Sequence, residues 1–194
     1  ILEIRANLAR TLGNHGKHLA PFRKALIAML EDSSPRVASL AAIALSNHGH
    51  QDAVEPAIKM LEKNDDNDVV VRHAGIMVLT KCAQFAPEWK YYDHRSTAVR
   101  RAIVIALRRH KSHLLETYFT DRDQSVRQEA IRAAYEMDVR KSYRALSNQA
   151  HSIALKVSPE VKWHPLTARR AIFAAWVLGQ AKDAEVIAKI AANP

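Results

Sequence analysis

Residues 71–82 read VRHAGIMVLTKC, and this stretch decides the fold because its apolar residues recur with the period of an α-helix. Positions i, i+3, i+4, i+7, i+8 and i+11 share one face of a helix. Six apolar or small residues hold these positions: Val71, Ala74, Gly75, Val78, Leu79 and Cys82. The stretch therefore predicts a helix that buries one face against neighbouring structure.

The same pattern recurs along the chain, so it marks a repeat. A β-branched or small residue, usually followed by Arg, opens each unit: Ile4-Arg5, Val37-Ala38, Val71-Arg72, Val99-Arg100, Val126-Arg127 and Ala168-Arg169. Eight residues later each unit has an apolar residue: Leu12, Leu45, Leu79, Leu107, Ala134 and Trp176. A single helical hairpin cannot bury its apolar stripe alone, so the repeat predicts an all-α solenoid of degenerate helical hairpins.

Capping residues predict where several helices begin and end. Ser34 and Pro35 form an N-cap followed by proline in the first turn, and Asp123 or Ser125 can cap the helix that contains Val126. Three glycines are expected at helix ends, because glycine adopts the left-handed conformation that stops a helix: Gly13, Gly49 and Gly179.

The partner helices become irregular in the second half of the chain. Between Ala83 and Thr97 the partner helix must be short or irregular, and the apolar residues of 114–119 can make only about two turns. The pattern then predicts a helix from Lys141 to Lys156, a loop containing Pro159 and Pro165, and helices over 166–180 and 183–192.

The recurrent arginine is expected to stabilise the stack. It can bind acidic groups in the preceding turn, as Arg127 can with Asp121 or Asp123. Small residues such as Gly75 are expected to let neighbouring helices approach closely.

The charge balance favours an acidic partner, nucleic acid or an anionic membrane surface. The chain has 29 Lys and Arg against 20 Asp and Glu, a net charge of +9. These residues are dispersed, which is also typical of solvated helix faces. There is no apolar run of about 18 residues that could span a membrane, and no signal-peptide pattern. We expect one domain over residues 1–194, and the start at Ile1 without Met indicates a piece of a longer protein.

The residues predict no catalytic, cofactor or metal site. Cys82 is the single cysteine, which excludes an intrachain disulfide and a multi-cysteine metal site. The pairs His48/His50 and His110/His113 have no third ligand beside them, so they are interpreted as ordinary turn residues. Motifs of the HExxH, GxxxxGKS/T and GxSxG types are absent.

The strongest candidate for an interaction surface is the segment WKYYDHR at residues 89–95, since Trp, Tyr and Arg dominate binding hot spots. The alternative is that its aromatic side chains fill the space left by a short partner helix. With nearby basic residues, the predicted surface consists of Trp89, Tyr91, Tyr92, Arg95, Arg101, Arg108 and Arg109.

The repeats resemble the HEAT family, and particular strings resemble the helical-repeat region of large dehydrogenase-like proteins of planctomycetes and related bacteria. These strings are NDDND at 64–68 running into VRHAGIM at 71–77, VRRA at 99–102, ALRR at 106–109, DRD at 121–123, EAIRA at 129–133, RRA at 169–171 and LG at 178–179. The resemblance covers most of the chain from about Ser33 to its end.

The resemblance implies that the repeats are a spacer between a sugar-dehydrogenase-like β-propeller and a c-type cytochrome module. It also implies an exported, periplasmic protein. The chain has no Cys-x-x-Cys-His motif, so the haem attachment of that family has no counterpart among these residues.

Three functional hypotheses follow. The first is a non-catalytic scaffold or protein-interaction module, a spacer inside a dehydrogenase-like c-type cytochrome protein that contacts other protein domains. The second is a nucleic-acid-binding array similar to the HEAT-like DNA glycosylases, which requires Arg and Lys to converge on one face. The third is a free-standing scaffold for an acidic protein.

Overall fold

The computed structural model describes residues 2–14, 20–155 and 164–192, and every regular element in these ranges is helical. The predicted all-α solenoid class is confirmed. Within these ranges the α-helices are α1 (Leu2–Asn14), α2 (Arg23–Ala28), α3 (Pro35–His48), α4 (Val54–Asn64), α5 (Val69–Cys82), α6 (Thr97–Arg109), α7 (Gln124–Glu136), α8 (Tyr143–Leu155), α9 (Pro165–Leu178) and α10 (Ala181–Ala191). Short 3₁₀ turns accompany them at Ala20–Phe22, Met29–Glu31, Gln51–Ala53, His113–Tyr118 and Arg140–Ser142.

The chain divides into two compact units, Ile1–Ala106 and Leu107–Pro194, and the boundary falls inside α6. The expectation of a single domain over residues 1–194 stays a prediction. In the first unit α3 packs between α1 and α5, while α2 packs on α3 and α4 packs on α5. The helices thus form two layers, and the large aliphatic residues between them are fully buried: Leu26, Leu45, Leu61 and Leu79. Each such side chain contributes about 1.5–3 kcal/mol of burial free energy.

The second unit is built around α9. Helices α7, α8 and α10 all pack against α9, α10 also packs on α8, and the His113–Tyr118 turn packs on α7. Its largest fully buried side chains are Leu107, Leu115, Tyr118, Phe119 and Ile131. The two-turn element predicted over residues 114–119 is this 3₁₀ turn, so its short length is confirmed.

Most predicted helix ends are confirmed. Asp123 caps α7 by accepting hydrogen bonds from the backbone N–H groups of Ser125 and Val126. Ser34 is the N-cap of α3 with proline in the first turn, although the Ser34 side chain makes no capping hydrogen bond. Gly49 and Gly179 end α3 and α9 in the left-handed region, with φ of 67° and 60°.

Gly13 lies in the last turn of α1, at the helix end as predicted, but it does not adopt the left-handed conformation. Its lack of a side chain allows close approach to α3: an added Cβ would lie 3.1 Å from the Cβ of Ala44. Two boundary predictions were wrong. Pro165 opens α9 and does not lie in a loop, which suits proline because the first turn needs no N–H donor. Helix α8 begins at Tyr143, two residues later than expected. Lys156 and Pro159 lie outside the described residues.

The recurrent arginines stabilise the stack in more ways than expected. Arg72 lies 3.8 Å from the carboxylate of Asp66 in the preceding turn, as predicted. Arg5 instead pairs with Asp32, in the turn that precedes α3, at 2.7 Å. Arg127 donates to the backbone carbonyl oxygen of Asp121. A guanidinium carries several donors, so the recurrent arginine can bind either a carboxylate or a backbone carbonyl oxygen.

The register assigned to the last repeat was wrong by one residue. The buried face of α9 consists of Thr167, Ala171, Ala174 and Ala175. Ala175 therefore holds the position assigned to Trp176, and Trp176 is 68% exposed. At Leu45, Leu79, Leu107 and Ala134 the predicted burial is confirmed.

Candidate functional site

The segment between α5 and α6 takes the place of a second helix in its repeat. Residues 83–96 form turns and contain no helix, as the sequence predicted. Backbone N–H groups of Trp89, Tyr92 and His94 donate to the carbonyl oxygens of residues 86, 89 and 91, at 3.0–3.2 Å. These bonds give the segment a defined, compact backbone.

The buried side chain of Arg100 anchors the end of this segment. Its side chain is 1% exposed, and Nη1 donates to the carbonyl oxygens of His94 at 2.7 Å and Arg95 at 3.1 Å. Buried guanidinium groups stay charged, and a buried charge needs several hydrogen-bond partners. Arg100 therefore ties the segment to α6.

Aromatic side chains pack together along the segment. Trp89 lies at the centre, with its ring centroid 5.0 Å from Phe85, 5.1 Å from Tyr91 and 5.6 Å from Tyr92, each in an edge-to-face arrangement. Tyr92 is buried, and burial raises the pKa of its hydroxyl to about 12. Trp89 and Tyr91 remain half-exposed.

A groove of about 510 Å³ opens between this segment and the first turns of α4. We call it the Trp89 groove, defined by Asp52, Glu55, Lys59, Trp89, Lys90 and Tyr91. Buried Val54 and half-buried Pro56 supply apolar lining. The lining combines aromatic, aliphatic and charged side chains, as protein-binding surfaces do.

The charges around the groove are paired but open to water. Glu55 lies 3.8 Å from both Lys59 and Lys90, and the Lys90 ammonium lies 4.8 Å from the Tyr91 ring centroid. A hydrogen bond with Tyr91, the Tyr91 charge and the carboxylate of Glu55 raise the pKa of Lys90. Exposed ion pairs of this kind are weak, so an incoming group can replace them.

Cys82 is the last residue of α5, directly before this segment, and its thiol is shielded from solvent. Its thiol is 4% exposed and donates weakly to the carbonyl oxygen of Leu45 at 3.8 Å. Burial raises the pKa of the thiol to about 11, so the reactive thiolate is scarce at neutral pH.

The structure brings together only part of the predicted surface. Trp89 and Tyr91 line the groove, whereas Tyr92 is buried behind them. Arg95 is exposed and pairs with Glu62 at 2.7 Å, and this hydrogen bond lowers the pKa of Glu62.

The other predicted arginines lie elsewhere. Arg101 pairs with Asp66 at 2.6 Å, away from the groove lining. Arg108 belongs to the second unit and binds Glu129 at 3.5 Å and Glu136 at 3.0 Å. Arg109 is exposed in the same unit.

Sequence reasoning missed the α4 side of the groove. Asp52, Glu55 and Lys59 are spaced at i, i+3 and i+7, so they fall on one helix face, and this spacing was a usable signal. It was overlooked because charged residues on a helix surface are ordinary.

A buried polar cluster in the second unit was also missed. Asp183 on α10 is 1% exposed and accepts from Ser147 at 2.9 Å and from Arg144 at 3.3 Å, while His151 Nε2 lies 2.9 Å away. Burial opposes the ionisation of Asp183. The hydrogen bonds of His151 and Ser147 and the charge of Arg144 outweigh this effect, so the pKa of Asp183 is lowered. The serine and the histidine both bind the aspartate, so the cluster has no serine–histidine pair of the catalytic-triad kind.

Among the residues described, no group of three or more His, Cys, Asp or Glu side chains is arranged to hold a metal ion. The described helices also include none with the length and apolar character needed to cross a bilayer.

The family model for HEAT repeats matches residues 2–80, which cover α1 to α4 and most of α5. No curated protein matches the chain. HEAT repeats generally serve as protein-interaction scaffolds and are typically non-catalytic. The matched region contains the α4 side of the Trp89 groove, and the aromatic segment follows it directly.

Proposed function

We propose that the chain is a non-catalytic protein-interaction module of HEAT type and that a segment of a partner protein docks in the Trp89 groove. One observation carries the proposal: an aromatic segment replaces the second helix of a repeat and leaves a groove beside α4. In a regular repeat a helix would cover this face.

The groove has the anatomy of a docking site. Half-exposed Trp89 and Tyr91 offer large contact area with few rotatable bonds, and the contacts with Phe85 and Tyr92 hold Trp89 in place. The ion pairs around Glu55 form a polar rim that can be exchanged. A peptide can thus bury an apolar side chain against Trp89 and pair its charges with the rim.

The partner is proposed to be a neighbouring domain of a larger dehydrogenase-like protein, in which the repeats act as a spacer. Support comes from the strings at 64–77, 99–109 and 121–133, which resemble the helical-repeat region of that family. A periplasmic location belongs to the same proposal. The complete reading frame tests it: a propeller and a Cys-x-x-Cys-His motif in the same polypeptide are expected, and a frame with neither contradicts it.

Docking is tested with the domains that flank this chain in its gene, expressed separately and titrated calorimetrically against the full chain. We expect Trp89→Ala to weaken binding of at least one domain about tenfold or more, because central Trp residues are common hot spots. The control is Val70→Ala, since Val70 is 60% exposed in the same unit and does not line the groove. The proposal would be overturned if Trp89→Ala bound every domain with the same affinity as the unaltered chain.

A nucleic-acid function remains the second candidate because the second unit concentrates the positive charge. It has 15 Lys and Arg against 9 Asp and Glu, a net charge of +6 out of +9. Arg108 and Arg132 are already paired with carboxylates there, which weakens this alternative.

A further inference from the structure

The outward face of α9 carries large apolar and basic side chains on one stripe. Leu166, Arg169, Arg170, Phe173 and Trp176 follow i, i+3, i+4, i+7 and i+10, opposite the buried alanines of the helix. Leu166 is 48% exposed and Trp176 is 68% exposed. With Tyr135 of α7, we call this surface the Trp176 face.

The Trp176 face is built across two helices. Tyr135 meets the ring of Phe173 edge to face at 5.1 Å, and Phe173 lies 5.7 Å from Trp176. The guanidinium of Arg170 lies 6.0 Å from the Tyr135 ring centroid. These contacts order the aromatic side chains before any partner arrives, which lowers the entropic cost of binding.

The arginines of this face differ from those beside it. Arg132 and Arg108 both bind Glu136, and the hydrogen bond of Arg132 lowers the pKa of that carboxyl group. No carboxylate of the described residues lies within ion-pair distance of Arg169 or Arg170. The charge of Arg170 also helps to lower the pKa of Glu136, but neither arginine forms a direct ion pair with the described residues. Both guanidinium groups can therefore bind an incoming acidic group, in a unit of net charge +6.

We propose that the Trp176 face binds an acidic peptide segment that carries large apolar side chains. Leu166 and Trp176 are ten positions apart, about 15 Å along the helix, which is enough for two turns of a peptide helix. Leu166, Phe173 and Trp176 would contact its apolar residues, and Arg169 and Arg170 would bind its carboxylates.

Charge complementarity favours a peptide over nucleic acid. A phosphate backbone needs a continuous track of cations, but this face has two arginines, and the neighbouring Arg108 and Arg132 are already bound to Glu129 and Glu136. A peptide needs only two basic contacts next to an apolar stripe. The inference concerns a surface of the second unit and does not depend on the Trp89 groove.

The test uses a fluorescein-labelled synthetic peptide of repeating Glu-Glu-Leu-Leu blocks with one Trp, titrated against the full chain by fluorescence anisotropy. We expect Trp176→Ala to weaken binding about tenfold or more. Arg169→Glu with Arg170→Glu should do the same and reduce the salt dependence. Trp89→Ala should leave binding unchanged, which separates this inference from the proposed groove. Circular dichroism checks that each variant is folded, as expected for substitutions at exposed positions.

Two further probes define the partner class. A peptide with Lys in place of Glu should bind at least tenfold more weakly, and an oligothymidylate strand should bind more weakly than the acidic peptide. No binding of the acidic peptide, or equal binding by Trp176→Ala, would overturn the proposal. Tighter binding of oligothymidylate that is lost in Trp176→Ala would also overturn it, in favour of a nucleic-acid surface.

Discussion

Gly75 faces Leu61 where α5 packs against α4. A Cβ built at this position would lie 2.6 Å from Leu61 Cγ, and Leu61 is itself fully buried. The contact distance between the two layers of the first unit is therefore set by a missing methyl group. The sequence predicted close helix packing at this small, buried residue. Only the structure shows that Leu61 is the neighbour that requires a glycine here.

Gly75→Ala is expected to lower the free energy of unfolding by up to about 2 kcal/mol. Overpacking costs about 1–3 kcal/mol, and the gain in helix propensity of about 1 kcal/mol offsets part of it. Urea denaturation measures the change. In a double-mutant cycle, Leu61→Ala should cost less in the Gly75→Ala background, because the new methyl group fills part of the cavity. Additive effects would show that the two residues do not collide.

Asp183 is expected to stabilise the second unit through its ionised form. Because its folded pKa is lowered, the contribution is present above the ordinary carboxyl pKa of about 4 and is lost as the pH falls through the folded value. Asp183→Asn should cost about 1–3 kcal/mol at neutral pH, and this difference should shrink below about pH 4. Urea midpoints of both proteins across pH measure it. Glu185→Gln, an exposed change on the same helix, should have little effect; a pH-independent Asp183→Asn difference contradicts the assignment.

At the scale of elements, regular helices could be predicted from the sequence and their register only in part. In α5 all six residues of the predicted face are buried, and Ile76 outside that face is buried as well. In α9 the small residues Ala171, Ala174 and Ala175 fit two registers, and Trp176 was assigned to the core because it is apolar. The Trp89 groove could not be predicted, because it depends on how a non-helical segment packs beside α4.

Arg100 should control the order of the 83–96 segment. Arg100→Met keeps the length of the side chain but removes the donors to His94 and Arg95, so hydrogen exchange at the amides of Tyr92 and His94 should accelerate about tenfold or more. Exchange measured by mass spectrometry gives the result. The neighbouring Arg101→Met removes an ion pair to Asp66 and should leave those amides unchanged. Equal acceleration in both variants would mean that the segment is not held by Arg100.

The N-caps provide a second contrast between elements. Asp123→Ala should destabilise the protein by about 1 kcal/mol, because its carboxylate accepts two backbone N–H groups at the start of α7. Ser34→Ala should change stability by less than about 0.5 kcal/mol, since that side chain makes no capping bond. Thermal or urea unfolding distinguishes the two, and a larger loss from Ser34→Ala would contradict the observed cap geometry.

At the scale of the whole molecule, the net charge of +9 conceals an uneven distribution. The first unit carries +3 and the second +6, with the boundary after Ala106. The sequence alone showed dispersed charge because the division into units was not visible in it. Ion pairing further reduces the positive charge that a partner can bind, since several arginines are already bound to carboxylates.

Duplex DNA is expected to bind weakly and with steep salt dependence. Arginines without an element that reads base edges supply phosphate attraction alone, so the dissociation constant should be about 10⁻⁴–10⁻⁶ M at physiological salt. Titration of a labelled duplex at two salt concentrations measures it. Arg169→Glu with Arg170→Glu should weaken binding more than Lys59→Glu with Lys90→Glu, because both lysines share Glu55. Nanomolar binding at physiological salt, or release of a modified base, would favour the nucleic-acid function.

The burial of Cys82 makes the rate of thiol modification a measure of local opening. Because it is the single thiol of the chain, is 4% exposed and has a pKa of about 11, reagents can modify it only during brief openings of α5 away from α3. The rate at which the free thiol is lost therefore reports how often the first unit opens locally, and no added label is needed. The lining of the Trp89 groove includes Ala83, the residue after Cys82. A partner bound in the groove should therefore slow these openings, so that its occupancy can be measured as a longer half-life of the thiol.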